Sequence, residues 1–167
     1  MHSLRTQISF EAAHRLYGVP TYSEECRENL HGHSYKILVE CSCSNLNEAG
    51  MVVDFKYLKK VLKDTIEDKY DHSCILRECD PIKDVIVANC RKVHVVEGNP
   101  TAEWMAEHFA SEITEAFKLY HLDGVDVERI EVQETENNIA IWTPYAKLQV
   151  VPESLTNVSL GSEVIPL

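Results

Sequence analysis

Three histidines and one glutamate fall in phase with residues that ought to be buried. In "ENLHGHSYKILVECSC" (28–43), His31 and His33 stand two apart, and side chains two apart on a β-strand share a face. Tyr35, Ile37, Val39, Cys41 and Cys43 continue that parity, while Ser34, Lys36, Glu40 and Ser42 take the other face with Leu38. In "LRTQISFEAAHR" (4–15), Thr6, Ile8, Phe10, Ala12 and His14 likewise share one side. In "DVERIEVQET" (126–135), Glu134 follows Ile130 and Val132 in phase. A bare His-x-His also arises in strands with no metal. A third imidazole in the same phase, with a carboxylate that needs donors or a cation if buried, points to a metal site. Three neutral imidazoles with one open position suit catalytic zinc, a Lewis acid for a hydroxyl or carbonyl oxygen. His72, after Asp71 in "YDHS", reads on its own as a cation closing a helix C-terminus.

The elements that must position these groups follow from pattern. Strands are expected over 4–15, 31–43, "MVVDF" (51–55), 126–135 and "NNIAIWTPYA" (137–146). A helix capped by Asp54 should run from Phe55 to Tyr70, with Phe55, Leu58, Leu62 and Ile66 as its stripe. A second should open at "NPTAEW", with Asn99 as N-cap and Pro100 as its first residue. It buries Met105, Phe109, Ile113, Phe117 and Tyr120, leaving His108 and His121 on its surface. "KVHVVEG" (92–98) suggests an extra strand inside the poorly patterned stretch 77–98. The order ββααββ predicts an α+β fold: a four-stranded antiparallel sheet with two helices on one face, in a single domain over 1–146. Residues 147–167, weakly patterned, are expected to be a peripheral tail, either an outlying strand or disordered.

Acidic residues outnumber basic ones by 27 to 16, a net charge of −11, which argues against a general nucleic-acid or anionic-membrane binder. The N-terminal "MHSLRTQISF" lacks the apolar run of an export signal, and no apolar stretch approaches a membrane span. A cytoplasmic protein is expected, with its six cysteines reduced. Cys41 and Cys43 read as core.

"SFEAAHRL", "LHGHSY", "VVDF", "YDHSCIL", "NPTAE" and "VQET" stand in the order found in the 6-pyruvoyltetrahydropterin synthase family, which the protein resembles from residue 4 to about 145. The resemblance implies a tunnelling fold whose sheets join into trimeric barrels. These pair as homohexamers, with active sites between subunits. It implies a zinc-dependent lyase acting on a small pterin triphosphate, 7,8-dihydroneopterin triphosphate. His14, His31 and His33 would be the Zn²⁺ ligands, Asp71 and His72 the catalytic pair, and Glu134 the pterin anchor. Thr101 and Glu103 fall where family members contact pterin or a neighbouring subunit, helix capping being the plainer alternative for them.

The resemblance leaves the product open. The family's base is a cysteine upstream of HGH. Three residues separate it from the first histidine in the carboxy-forming branch, and five in the pyruvoyl-forming branch. Cys26 is separated by four. Glu28 matches the E-x-x-H-G-H register of a third branch, which forms 6-hydroxymethyl-7,8-dihydropterin for folate synthesis. The leading expectation is 6-carboxy-5,6,7,8-tetrahydropterin synthase, in queuosine precursor synthesis. The hydroxymethyl- and pyruvoyl-forming activities are its rivals, and a silent pterin-binding zinc protein is the non-enzymatic alternative. Arg15, Arg27, Arg91 and Lys92 are candidate cations for the triphosphate.

Overall fold

The computed structural model describes residues 1–21 and 23–144. Strand β1 (His2–His14) pairs antiparallel with β2 (His31–Cys43) along its whole length, from His2 opposite Cys43 to His14 opposite His31. β5 (Val125–Gln133) pairs antiparallel with β2, with a bulge at Glu40/Cys41, and β6 (Ile139–Trp142) pairs antiparallel with β5. These four strands are the expected antiparallel set.

The sheet is larger than expected. β3 (Ser73–Arg77) adds parallel to β1, and β4 (Val93–Val96) parallel to β3, giving six strands among the described residues, in the order β4-β3-β1-β2-β5-β6. Neither added strand alternates cleanly, which hid β3 from a period-two reading. "MVVDF" forms no strand. It turns instead into the Asp54 cap, whose carboxylate accepts from the backbone N–H of Lys56 and Tyr57. The stretch 77–98 resolves into the end of β3, helix α4 (Lys83–Asn89) and β4.

The first long helix comes in three pieces: α2 (Phe55–Leu62), a π-helical turn over Lys63–Glu67, and α3 (Asp68–Tyr70). The second, α5 (Ala102–Leu119), starts later than expected. Thr101 rather than Asn99 is its N-cap, accepting from the Trp104 N–H, and the Pro100 carbonyl turns away to meet His14. Both helices cover the same face of the sheet. Phe10 sits at the centre of that layer, with ring centroids 5.3 Å from Tyr35, 6.0 Å from Tyr70 and 5.9 Å from Phe109. Cys41 and Cys43 are buried there, as expected, and burial pushes the Cys41 thiol up to about 12.

His108 is no plain surface residue. It stacks on Trp104 at 4.5 Å and hydrogen bonds the Tyr70 hydroxyl at 3.0 Å. His121 is exposed, just past the helix, at φ 55°. Among the described residues no helix is long and apolar enough to cross a membrane. The tail expected over 147–167 lies outside the described residues.

Candidate active site

The hairpin register assembles the cluster. His14 faces His31 directly across the β1–β2 pair, and His33 lies two residues further along, opposite Ala12. All three project on the helix-covered side, where the strands run out from under the core. Ring centroids are 4.6 Å (His14–His31), 5.2 Å (His14–His33) and 5.1 Å (His31–His33) apart. One nitrogen of each ring lies within 4.8 Å of the others, so the three can share a metal ion.

Two rings are oriented by the backbone. His14 Nδ1 donates to the Pro100 carbonyl at 2.6 Å, and His31 Nδ1 donates to the Asn29 carbonyl at 3.0 Å. A carbonyl can only accept, so the Nε2 lone pair of each ring is left for a cation, the arrangement that orients metal-binding histidines. His14 is 1% exposed and, among the described residues, its Nε2 has no hydrogen-bond partner. A buried acceptor of that kind is costly unless something meets it, so the donor set fits a divalent metal. Burial pulls the His14 pKa down to about 4, helped by the charges of His31 and His33 and opposed by the Pro100 bond. Desolvation also lowers His33, against the pull of Glu134.

Glu134 lies just beyond β5, its backbone N–H bonded to the Asn138 carbonyl. Its carboxylate stands 3.5 Å from His14 Nε2 and 3.8 Å from His33 Nε2. It lines a cleft of about 490 Å³ with Leu16, Thr101, Glu103, Asn137 and Asn138. Thus Glu134, Thr101 and Glu103 meet around one space beside the histidines, although the Thr101 hydroxyl is engaged as the α5 cap.

Cys26 and Glu28 lie on a short helix, α1 (Glu24–Glu28), which leads into β2. Cys26 is half-buried, and the Glu28 carboxylate is exposed beside Arg27 at 3.0 Å. Asp71 and His72 sit elsewhere. Asp71 accepts the Glu11 N–H at 2.9 Å and holds His72 Nδ1 at 2.9 Å. The Glu11 N–H, and then His72, keep the Asp71 carboxyl below its ordinary range. His72 adopts φ 57°, is 80% exposed, and lines a recess with Glu11, Gly32, His33 and Ser34. His72 is not among the histidines whose nitrogens converge, which are His14, His31 and His33.

Two of the four proposed triphosphate cations are committed inside the fold. Arg15 is buried against Asp80, and Lys92 Nζ donates to the Asp68 and Asp71 carbonyls at the end of α3. Arg27 pairs with Glu24 and Glu28, and Arg91 is exposed. Tyr35, expected on the buried parity, is fully buried, and its ring lies 5.9 Å from His14 and 5.6 Å from His33.

The family profile described as 6-pyruvoyl tetrahydropterin synthase matches residues 3–144. The chain belongs to the 6-pyruvoyl tetrahydropterin synthase family. Among its relatives, the 6-carboxy-5,6,7,8-tetrahydropterin synthase of Rickettsia felis is 34% identical over 133 residues, 78% of this chain and 92% of the relative. The protein of the same name from Rickettsia bellii is 36% identical over the same shares. An uncharacterized Wolinella succinogenes protein shares the fold at TM-score 0.70 and 21% identity, over 85% of this chain and 97% of that one. The 6-pyruvoyltetrahydropterin synthase of Plasmodium vivax, solved with a catalytic glutamate changed to alanine, aligns at TM-score 0.63 and 19% identity. That match covers 86% of this chain and 99% of that one. As a member of this pterin-processing family, the protein has the tunnelling fold, extended here by β3 and β4.

Proposed function

We propose that this protein is a zinc-dependent lyase that converts 7,8-dihydroneopterin triphosphate to 6-carboxy-5,6,7,8-tetrahydropterin, a queuosine precursor, in the cytoplasm. The observation that carries the reading is the convergence of three histidines, two with Nδ1 tied to carbonyls, on a point beside the Glu134 carboxylate. The names of relatives about one-third identical over most of their length support this product.

His14, His31 and His33 would hold Zn²⁺, which supplies Lewis acidity toward side-chain hydroxyls of the substrate. Glu134 accepts the pterin ring N–H and its exocyclic amine together, a bidentate contact that fixes the ring in the cleft. Thr101 and Glu103 bound that cleft at the start of α5. Cys26 and Glu28, on the segment running into His31, are the candidate bases that would take a carbon-bound proton from the substrate.

The Asp71–His72 pair completes the site from a neighbouring copy. Within its own subunit His72 is 80% exposed and stands outside the three-histidine group, and among the described residues the sheet ends in the strands β4 and β6. Joining such edges between copies removes unpaired backbone groups. The assembly that follows is a homohexamer, a dimer of trimers, in which Asp71 favours the imidazolium form of His72 as a proton carrier.

One observation favours a second reading. Glu28 stands in the E-x-x-H-G-H register, and the Plasmodium vivax protein of the same fold has a catalytic glutamate. With Glu28 as base the product would be 6-hydroxymethyl-7,8-dihydropterin. Mass spectrometry of the product from zinc-loaded protein separates the readings, alongside Cys26→Ala and Glu28→Gln. A 6-carboxy product lost only with Cys26 supports the first; a 6-hydroxymethyl product lost with Glu28 replaces it. Stoichiometric zinc without turnover would leave a pterin-binding protein.

A further inference from the structure

Arg15 follows the ligand His14 and turns its guanidinium into the protein. Arg15 is 8% exposed and Asp80 3%. Nε donates to Asp80 Oδ2 at 2.6 Å and Nη2 to Oδ1 at 2.7 Å, a two-pronged contact. The third arm, Nη1, donates to the Glu28 carbonyl at 3.0 Å. Asp80 is itself fixed: Oδ1 accepts the Ile82 N–H at 2.9 Å, and its own N–H donates to the Arg77 carbonyl at 3.0 Å. Beside this, the Leu16 N–H donates to the Cys26 carbonyl at 3.0 Å. The next carbonyl after Glu28, that of Asn29, is the one that orients His31.

A continuous series of short contacts thus runs from the β3–α4 connection through Arg15 to α1 and on to His31. Stability alone is a poor reason for it. Desolvating a buried ion pair costs about what its attraction returns, and apolar replacements of similar volume are often as stable. A planar fork gripping a carboxylate does fix direction, which a lysine cannot reproduce. We propose that Arg15 and Asp80 are positioning residues: they lock α1, with Cys26 and Glu28, against the metal-binding end of the β1–β2 hairpin. The inference rests on the functional reading above for its purpose, though not for its geometry. It also gives the stretch 77–98 a task, because that stretch supplies Asp80.

The test is the full-length double variant Arg15→Met/Asp80→Leu, with Asp80→Asn and Arg15→Lys beside it. Amide hydrogen exchange over residues 24–30 of the metal-free protein, thermal unfolding, and Zn²⁺ affinity by chelator competition are measured together. The double variant should unfold within a few degrees of the wild type. Its exchange over 24–30 should be at least about tenfold faster, and its Zn²⁺ affinity about tenfold weaker, as when a ligand's supporting contact is lost. Arg15→Lys should not restore either. With dihydroneopterin triphosphate, kcat should fall more than KM changes, because Glu134 and its cleft are untouched. Wild-type exchange and Zn²⁺ affinity in a folded double variant would overturn the proposal. So would a double variant that fails to fold while Asp80→Asn keeps wild-type exchange. A wild-type protein that neither binds Zn²⁺ nor turns over substrate would sink the functional reading instead, and the exchange contrast would still decide the positioning role.

Discussion

Acidifying the metal-free protein should unload stability through His14. The ring is 1% exposed, and its pKa is held near 4 rather than 6.5, first by lost hydration and then by the neighbouring imidazoles. Above pH 6.5 the ring is neutral in both the folded and the unfolded state and contributes no pH dependence. Between pH 6.5 and 4 only the unfolded state takes up the proton, so the folded state loses about 1.4 kcal/mol per pH unit. The loss reaches roughly 2 kcal/mol at pH 5 and about 3 kcal/mol near pH 4, then levels off. Urea unfolding in the presence of a chelator, at intervals from pH 7.5 to 4.5, reads this directly. His14→Gln is the reference, because glutamine does not titrate yet can still donate to the Pro100 carbonyl. Asp71 and Glu112, whose carboxyls lie below their ordinary values, also cost stability on acidification. They are common to both proteins and cancel in the difference. Over this range the wild type should lose at least about 2 kcal/mol more than His14→Gln does. Parallel curves would refute the account of a desolvated, neutral His14.

Glu134→Gln should weaken pterin binding, seen by calorimetry, while zinc content stays near wild type; loss of zinc would place the carboxylate among the ligands instead. Tyr35→Phe removes a hydroxyl that is buried without a partner among the described residues and should raise denaturant stability by about 1 kcal/mol. Gly98→Ala would drive a Cβ into the Trp104 ring at Nε1, a ring already stacked against His108, and should cost about 1–3 kcal/mol in the same assay. Light scattering should report a hexamer or a trimer, and a stable, active monomer would contradict a site shared between copies.

The cluster was legible because period-two alternation is a strong signal wherever one sheet face is buried. His14, His31, His33 and Glu134 all betray themselves by standing where Val or Ile would be expected. β3 was not legible for the opposite reason: "SCILR" is a short parallel strand packed between neighbours, with Ile75 and Leu76 both buried. The α5 cap was misplaced because Asn-Pro is a good local start, whereas in the fold Thr101 caps the helix and the Pro100 carbonyl accepts from His14. Asp80 gave no signal at all. An aspartate before a proline reads as a turn, and its partner lies 65 residues away.

The thirteen-residue register between β1 and β2 bears on how the protein comes to be made. All three candidate ligands lie within the first 33 residues, held by a pairing between neighbouring strands rather than by distant segments. Contacts of short sequence separation form early, since little conformational entropy is lost in closing the loop between them. A slip of one residue in β1 would carry His14 to the opposite face and leave His31 and His33 without it. A divalent ion captured as the hairpin emerges from the ribosome would therefore select the correct register before the helices that cover it have been synthesised.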